Sequence, residues 1–228
     1  MKIVFFGDSL TQGTMGADYV DKVAALLRGH HFLNEGVNGD TSLHLYRRVE
    51  QDVIAHRPDG VLIMVGINDA LSYAEPSLRW YYRLIKQIAG GQVSPMAFRE
   101  NMRALLMRLL LEQGQIWMVL PPLEYSPAAV RTLRQMNEAT KQLCSSLNIP
   151  TLDLMAKMTP PDIPQRAPLS IIAQIRGYFA AFNPNRDYDR LRDAGGYTYS
   201  FDGIHLTVAG ALTVAQEIAR FLHMHGVS

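Results

Sequence analysis

Short apolar runs alternate with longer amphipathic stretches along this chain of 228 residues. The short runs have the length and composition of buried strands, whereas the longer ones repeat their apolar positions at helical spacing. Strands are predicted over residues 3–6, 32–37, 61–65, 116–120 and 149–154. Helices are predicted over residues 19–28, 42–55, 98–112, 128–147 and 207–223. The alternation predicts βαβ units, and therefore a mostly parallel five-stranded sheet with helices on both faces.

The domain organisation is predicted to be simple. No internal repeat, low-complexity block or Gly/Ser-rich linker divides the sequence. Single α/β domains commonly reach this length. We therefore expect one domain over residues 1–228.

Composition excludes several classes of protein. Hydrophobic residues make up 48% of the chain and charged residues 19%, with a net charge of +1. Disordered chains have fewer apolar residues and a larger charge imbalance. A nucleic-acid-binding surface normally adds a strong basic excess, so no nucleic-acid partner is expected.

Location is predicted from what the sequence contains. The single cysteine, Cys144, cannot form an internal disulfide, which fits a reducing compartment. The apolar run at residues 3–6 is shorter than the roughly 7–15 residues of a secretory signal. No stretch approaches the roughly 18 apolar residues of a membrane span. We expect a cytoplasmic protein without a transmembrane segment, although a mature secreted chain would look the same.

Polar and small residues follow the predicted strands. In open parallel sheets, ligands bind beyond the carboxyl ends of the strands, where the strand order reverses. Four such blocks stand out: Gly7-Asp8-Ser9-Leu10, Asn38-Gly39-Asp40-Thr41, Gly66-Ile67-Asn68-Asp69 and Asp202-Gly203-Ile204-His205.

These blocks contain the groups that ester hydrolysis needs: a nucleophile, a base, a group that orients the base, and oxyanion donors. Ser9 offers a hydroxyl, His205 an imidazole, and Asp202 a carboxylate three residues earlier in the same turn. Gly39 exposes a backbone N–H, and Asn68 can donate from its side-chain amide. Each block alone also fits an ordinary turn or helix cap.

Together, the four blocks resemble those of the GDSL or SGNH hydrolase family in order and approximate spacing. The resemblance implies a flavodoxin-like, three-layer α/β/α fold and a serine esterase, lipase or other acylhydrolase activity. It implies that Ser9 is the nucleophile of a triad with Asp202 and His205. It also implies an oxyanion hole formed by the N–H groups of Ser9 and Gly39 and the side chain of Asn68. The family requires no metal or organic cofactor.

Other candidate residues have simpler interpretations. The histidine pairs at 30–31 and at 223 and 225 fit solvated surface positions better than metal ligands. Asp202 and His205 could ligate a metal, but no cysteine or carboxylate cluster completes the set. Asp8 is interpreted as a turn residue whose side chain bonds nearby backbone N–H groups.

Two segments, at about 70–95 and 158–199, exceed what a compact member of the family needs and are interpreted as insertions. Each carries an apolar stripe at helical spacing: Leu78, Tyr81, Tyr82, Ile85 and Ile88 in the first, and Ile171, Ile172, Ile175, Tyr178 and Phe179 in the second. The stripes could form an acyl pocket or lid, cover the core, or mediate formation of a homo-oligomer.

The sequence therefore predicts an enzyme that hydrolyses a small-molecule carboxylic ester through an acyl-enzyme. One alternative is a carbohydrate O-acetylesterase with the same triad, in which Trp80 and nearby tyrosines stack on sugar. Another is a non-catalytic binding module that retains the fold.

Overall fold

The structure is a computed structural model that describes residues 1–112, 114–169 and 187–227. Its centre is a parallel five-stranded sheet, which confirms the predicted sheet. The strands are β1 (Lys2–Gly7), β2 (His31–Gly36), β3 (Gly60–Met64), β4 (Gln115–Leu120) and β5 (Thr151–Asp153).

The α-helices of the described residues connect and cover these strands. They are α1 (Ser9–Gln12), α2 (Tyr19–Leu26), α3 (Ser42–Asp52), α4 (Ile67–Ala74), α5 (Arg79–Leu84), α6 (Pro95–Leu110), α7 (Pro127–Ser146), α8 (Leu154–Met158), α9 (Tyr188–Gly195) and α10 (Val208–Met224). Short 3₁₀ turns lie at Ile54–His56, Pro76–Leu78 and Ala89–Gly91.

Helices lie on both faces of the sheet, so the fold has the predicted three layers. Helix α2 packs against α10, while α3 packs on α6, and α7 packs on both α6 and α4. All five residues of β3 are buried, as expected for a central strand covered on both sides. Burial of apolar side chains from the sheet and both helical layers stabilises this arrangement.

The strand order, β2-β1-β3-β4-β5, determines where a site can form. The chain leaves β1 for β2 at one side and then returns to place β3 at the other side. The carboxyl ends of β1 and β3 therefore lie next to each other at the point of reversal, with Gly7 paired with Met64. This is the position at which flavodoxin-like sheets bind their ligands.

Some elements differ from their predicted bounds for local reasons. Strand β5 is shorter than predicted at both ends. Ile149 N donates a hydrogen bond to Cys144 O at 2.9 Å at the end of α7, and the Asp153 side chain accepts one from Ala156 N at 2.8 Å and begins α8. Helix α4 was not predicted: Gly66, at φ 133°, is its N-cap, and Asn68 lies within its first turn. A glycine at positive φ permits this abrupt change from strand to helix.

The first predicted apolar stripe lies mostly in the core. Leu78, Tyr82 and Ile88 are buried, whereas Ile85 is 60% exposed. The second stripe, at residues 171–179, lies outside the described residues. Among the helices that the structure describes, none is both long enough and apolar enough to span a membrane.

Candidate active site

Ser9 lies at the first position of α1, directly after β1. The Asp8 side chain caps this helix and accepts a hydrogen bond from Leu10 N at 3.0 Å, as its interpretation as a turn residue requires. Gly7 has no space for a side chain, since a Cβ there would lie 2.6 Å from the Met64 carbonyl oxygen. This close packing accompanies an abrupt change from strand to helix, since β1 ends at Gly7 and α1 begins at Ser9.

Three of the predicted site residues form a continuous chain of hydrogen bonds. His205 Nε2 lies 3.1 Å from Ser9 Oγ, across 196 positions of sequence. The other ring nitrogen, Nδ1, lies 2.7 Å from Asp202 Oδ2. Ser9 and His205 are buried, with 6% and 5% of their surfaces exposed. This is the geometry in which an imidazole can accept a proton from a serine while a carboxylate holds its tautomer.

The loop that carries Asp202 and His205 is folded by its own side chains. Asp202 Oδ1 accepts hydrogen bonds from Ile204 N at 3.0 Å and from His205 N at 2.7 Å. Gly203 adopts φ 89°, and a Cβ there would lie 2.8 Å from Tyr125 Cα. The aspartate therefore uses one oxygen to shape the turn and the other to orient the imidazole.

A buried glutamate that was not predicted, Glu124, supports this loop from below. Its carboxylate accepts hydrogen bonds from Thr198 N at 2.9 Å, Ser200 N at 2.9 Å and Ser200 Oγ at 2.6 Å. Only 2% of Glu124 is exposed. It lies shortly after β4, so a search of every strand end for polar residues would have found it.

Asn68, a predicted oxyanion donor, lies beside the nucleophile's turn. Its Nδ2 lies 3.3 Å from Asp8 Oδ2, so it spans the reversal point between β1 and β3. Its Oδ1 accepts a hydrogen bond from Tyr82 Oη at 2.8 Å. The amide nitrogen is thereby directed towards the Asp8-Ser9 turn.

Gly39, whose N–H group is also a predicted donor, lies in the turn after β2 at φ 74°. Lys86 Nζ donates to Asn38 O at 2.9 Å and to Asp40 Oδ1 at 2.6 Å. Arg48 Nε binds the other Asp40 oxygen at 2.8 Å, and Arg48 also donates to Gly7 O at 2.9 Å. These contacts attach the turn around Gly39 to the end of β1.

A second buried carboxylate joins the two predicted donor loops. Asp69, which follows Asn68 in α4, accepts hydrogen bonds from Ser42 N at 3.0 Å and from Ser42 Oγ at 2.6 Å. Ser42 begins α3, directly after the turn that contains Gly39. The positions of the two loops are therefore coupled through one side chain.

The site perturbs the pKa values of its ionisable groups. Burial alone would lower the pKa of His205, but the Asp202 carboxylate and its hydrogen bond, with Asp8, raise it above 6.5. Burial would raise the pKa of Asp202. The charge of His205 and the hydrogen bonds that the Asp202 carboxylate accepts outweigh this effect, so its pKa is lowered. Burial raises the pKa of Asp8 to about 7. An ionised Asp202 beside His205 is the charge arrangement that stabilises an imidazolium.

The described residues were expected to offer few candidate metal ligands, chiefly Asp202, His205 and the histidine pairs. Within residues 1–112, 114–169 and 187–227, no group of three or more His, Cys, Asp and Glu side chains could hold a metal ion. His223 and His225 are exposed, and His225 Nδ1 lies 2.7 Å from the carbonyl oxygen of Phe221 in its own helix.

Comparison with known proteins identifies the class. The model of the GDSL-like Lipase/Acylhydrolase family matches residues 5–212, and the chain belongs to this family. An acetylxylan esterase of Geobacillus stearothermophilus is 40% identical over 86 residues, which cover 30% of this chain. That match spans 39% of the length of the esterase.

Solved structures share the fold over nearly the whole chain. A structure of an acetylxylan esterase from Geobacillus stearothermophilus aligns with a TM-score of 0.66 at 24% identity, covering 97% of this chain and 93% of that chain. A protein of the G-D-S-L family from Desulfitobacterium hafniense aligns with a TM-score of 0.65 at 19% identity, covering 96% and 98%. Both have the three-layer architecture described above.

Proposed function

We propose that this protein hydrolyses carboxylic esters through an acyl-enzyme formed on Ser9. The observation that carries the proposal is the hydrogen-bonded chain from Ser9 Oγ to His205 Nε2, at 3.1 Å, and from His205 Nδ1 to Asp202 Oδ2, at 2.7 Å. Membership of an acylhydrolase family supports the same chemistry.

In the first half-reaction, His205 Nε2 takes the proton of Ser9 Oγ while that oxygen attacks the ester carbonyl carbon. The carbonyl electron pair moves onto the carbonyl oxygen, and Asp202 stabilises the imidazolium that forms. The tetrahedral intermediate then collapses, and the alcohol leaves with the proton from Nε2. In the second half-reaction, water gives its proton to Nε2 and attacks the acyl carbon. The acid is released, and Ser9 regains its proton.

The negative charge of each intermediate needs hydrogen-bond donors. We assign this role to the backbone N–H groups of Ser9 and Gly39 and to Asn68 Nδ2. The Asn68 amide already faces the turn that carries Ser9, which supports the assignment. Donors fixed in advance avoid reorganisation during the reaction, and one such donor is worth about 100- to 1000-fold in rate.

The substrate class we propose is an acetyl ester of a saccharide. The support is the 40% identity to an acetylxylan esterase over 86 residues. Trp80 is 49% exposed on α5, the helix that also holds Tyr82 against Asn68, and indole rings stack well on sugars. A long acyl pocket built by the first stripe is less well supported, because Leu78, Tyr82 and Ile88 are already buried in the core.

A fluorophosphonate probe tests the proposed chemistry. In wild type, we expect labelling by the probe and loss of activity to proceed at the same rate. Ser145→Ala, which changes an exposed serine, is expected to behave like wild type, whereas Ser9→Ala is expected to remain unlabelled. Labelling of Ser9→Ala at the wild-type rate would contradict the assignment of Ser9 as the nucleophile. A wild type that is neither labelled nor active would favour the non-catalytic binding module.

A panel of esters tests the proposed substrate. The purified protein is assayed for acetate release from acetylated xylo-oligosaccharides and for acid release from aryl esters of increasing chain length. We expect the highest kcat/KM for the acetylated saccharide, and a marked loss for Trp80→Ala on that substrate alone. A kcat/KM that rises towards medium chains would instead support a lipase-like acylhydrolase.

A further inference from the structure

The segment predicted as the first insertion makes direct contact with the proposed oxyanion machinery. Tyr82, in α5, is buried, with only 2% of its surface exposed. Its hydroxyl donates to Asn68 Oδ1 at 2.8 Å. The opposite end of the same amide, Nδ2, lies 3.3 Å from Asp8 Oδ2, beside Ser9. One phenol therefore contacts the acceptor end of the group whose donor end faces the site.

This contact matters because a carboxamide is nearly symmetric in shape. Rotation of the Asn68 amide by half a turn exchanges its oxygen and nitrogen with little change in packing. The rotated amide would direct oxygen lone pairs, rather than N–H groups, towards a developing oxyanion. It would also leave a carbonyl oxygen facing the Asp8 carboxyl group. A donor fixed at Oδ1 favours the productive orientation, since a buried oxygen without a partner is costly.

We propose that Tyr82 is a positioning residue that holds the Asn68 amide with Nδ2 towards the reacting carbonyl oxygen. The proposal rests on the proposed function, because it assigns Tyr82 a role only if Asn68 stabilises an oxyanion. Burial of Leu78 and Ile88 anchors the segment around α5 in the core, which holds Tyr82 in place.

The same segment holds the second proposed donor. Lys86, four residues after Tyr82, donates to Asn38 O and to Asp40 Oδ1, on either side of Gly39. His44 Nε2 lies 2.7 Å from the Lys86 carbonyl oxygen, which attaches this part of the segment to α3. One stretch of chain thus contacts Asn68 and the turn around Gly39, which carry two of the three proposed donors.

The test is a double-mutant cycle of Tyr82→Phe and Asn68→Ala, measured by kcat and KM on an activated acetyl ester. Phenylalanine retains the ring and its packing but removes the donor. We expect Tyr82→Phe to lower kcat about tenfold with KM nearly unchanged, because the lost interaction acts in the transition state. In the Asn68→Ala background, the same change is expected to have no further effect on kcat.

Tyr19→Phe is the matched control. Tyr19 is also fully buried, and its hydroxyl lies 2.9 Å from Thr11 Oγ1. The Tyr19→Phe substitution removes one buried phenol hydroxyl that does not contact Asn68, so kcat is expected to stay close to that of wild type. If Tyr19→Phe lowers kcat as much as Tyr82→Phe does, the loss does not require the contact with Asn68, and the proposal is wrong.

Two further results would overturn the positioning role. One is a Tyr82→Phe variant with wild-type kcat. The other is an equal loss of kcat from Tyr82→Phe with and without Asn68, which would show that the hydroxyl acts through another group. Both differ from failure of the proposed function, in which wild type and Ser9→Ala would hydrolyse the ester at the same rate.

Discussion

At the scale of single residues, the proposed mechanism makes reaction depend on the protonation state of the His205 imidazole. It must be neutral to accept the Ser9 proton, and the Asp202 carboxylate raises its pKa above 6.5. We therefore expect kcat/KM to fall as the pH is lowered, with the midpoint of this acid limb above 6.5. A pH profile of kcat/KM on a neutral ester measures this midpoint directly.

Replacement of Asp202 by asparagine identifies the cause of that shift. Asp202→Asn removes the negative charge that favours the imidazolium, so the acid limb is expected to move to lower pH. The value of kcat is expected to fall by up to about 10⁴-fold, because the tautomer of His205 is no longer fixed. An acid limb at the same pH in both proteins would show that another group controls it.

Replacement of Asn68 tests whether this residue acts on the reaction rate or on substrate binding. Asn68→Ala is expected to lower kcat by about 100- to 1000-fold and to change KM little, since an oxyanion forms only along the reaction path. Circular dichroism and gel filtration of the variant check that the fold is retained. A folded Asn68→Ala protein with wild-type kcat would remove Asn68 from the oxyanion site.

The residues of the site were predictable to different extents, for physical reasons. Ser9, Asp202 and His205 stand in turns where their types have a chemical role, so the sequence indicates them. Tyr82 was predicted only as part of an apolar stripe, because a tyrosine at helical spacing among apolar residues is typical of a core position. Its hydrogen bond to Asn68 depends on the path of the segment between them, which short-range spacing does not encode.

At the scale of elements, Glu124 joins the end of β4 to the loop that carries Asp202 and His205. Glu124→Ala would leave the buried N–H group of Ser200 without a partner and remove the acceptor of the Thr198 N–H group. We expect the free energy of unfolding to fall by about 3 kcal/mol. The value of kcat is also expected to fall, because the loop loses its support. Urea denaturation and ester hydrolysis measure the two effects.

Glu138→Ala provides the control for this prediction. Glu138 is exposed on α7 and bonds only the Gln142 side chain in the same helix among the described contacts. Its replacement is expected to change the free energy of unfolding by no more than about 0.5 kcal/mol. Equal effects of Glu124→Ala and Glu138→Ala would show that Glu124 is not a support of the loop.

The bounds of an element were predictable where its apolar positions repeat over many turns. They were not predictable where a local turn or cap begins or ends the element. Helices α6 and α7 were expected within a few residues, because their apolar positions repeat over many turns. Helix α4 was missed because Gly66 begins it directly after β3, without a Ser, Thr or Asp cap. Strand β5 was predicted too long because the apolar run includes Ile149, which bonds the end of α7, and Leu154, which begins α8.

At the scale of the whole molecule, buried carboxyl groups make stability depend on pH. Burial raises the pKa of Asp8 and of Asp69 from 3.8 to about 7. The folded state therefore binds these protons more tightly than the unfolded state does. Their stabilisation is complete below about pH 3.8 and is lost as the pH rises through 7. The raised pKa of His205 acts with the same sign, while the lowered pKa of Asp202 acts only below its ordinary value.

We therefore expect the free energy of unfolding to decrease between about pH 4 and pH 7. Each such carboxyl contributes a slope of up to about 1.4 kcal/mol per pH unit. Asp8→Asn retains an acceptor for Leu10 N but cannot titrate, so its slope is expected to be smaller than that of wild type. Urea unfolding at a series of pH values measures both slopes. Parallel curves for the two proteins would contradict the raised pKa of Asp8.

The overall architecture was the most predictable feature. Alternating strand and helix patterns specify a parallel sheet, and right-handed crossovers leave few ways to order its strands. The meeting of Ser9 with His205 follows from that topology, since both lie beyond the carboxyl edge of the sheet. The four motif blocks, spread from Gly7 to His205, indicated the same family that the comparison identifies.

The proposed mechanism depends on one step above all, the acylation of Ser9 with His205 as the base. The most direct test mixes the protein with an activated acetyl ester, quenches it in acid within the first turnover, and analyses the peptides by mass spectrometry. We predict one acetyl group on the peptide that contains Ser9, absent from Ser9→Ala and much reduced in His205→Ala. Steady hydrolysis by wild type with no acetyl group on Ser9 at any quench time would contradict an acyl-enzyme on Ser9.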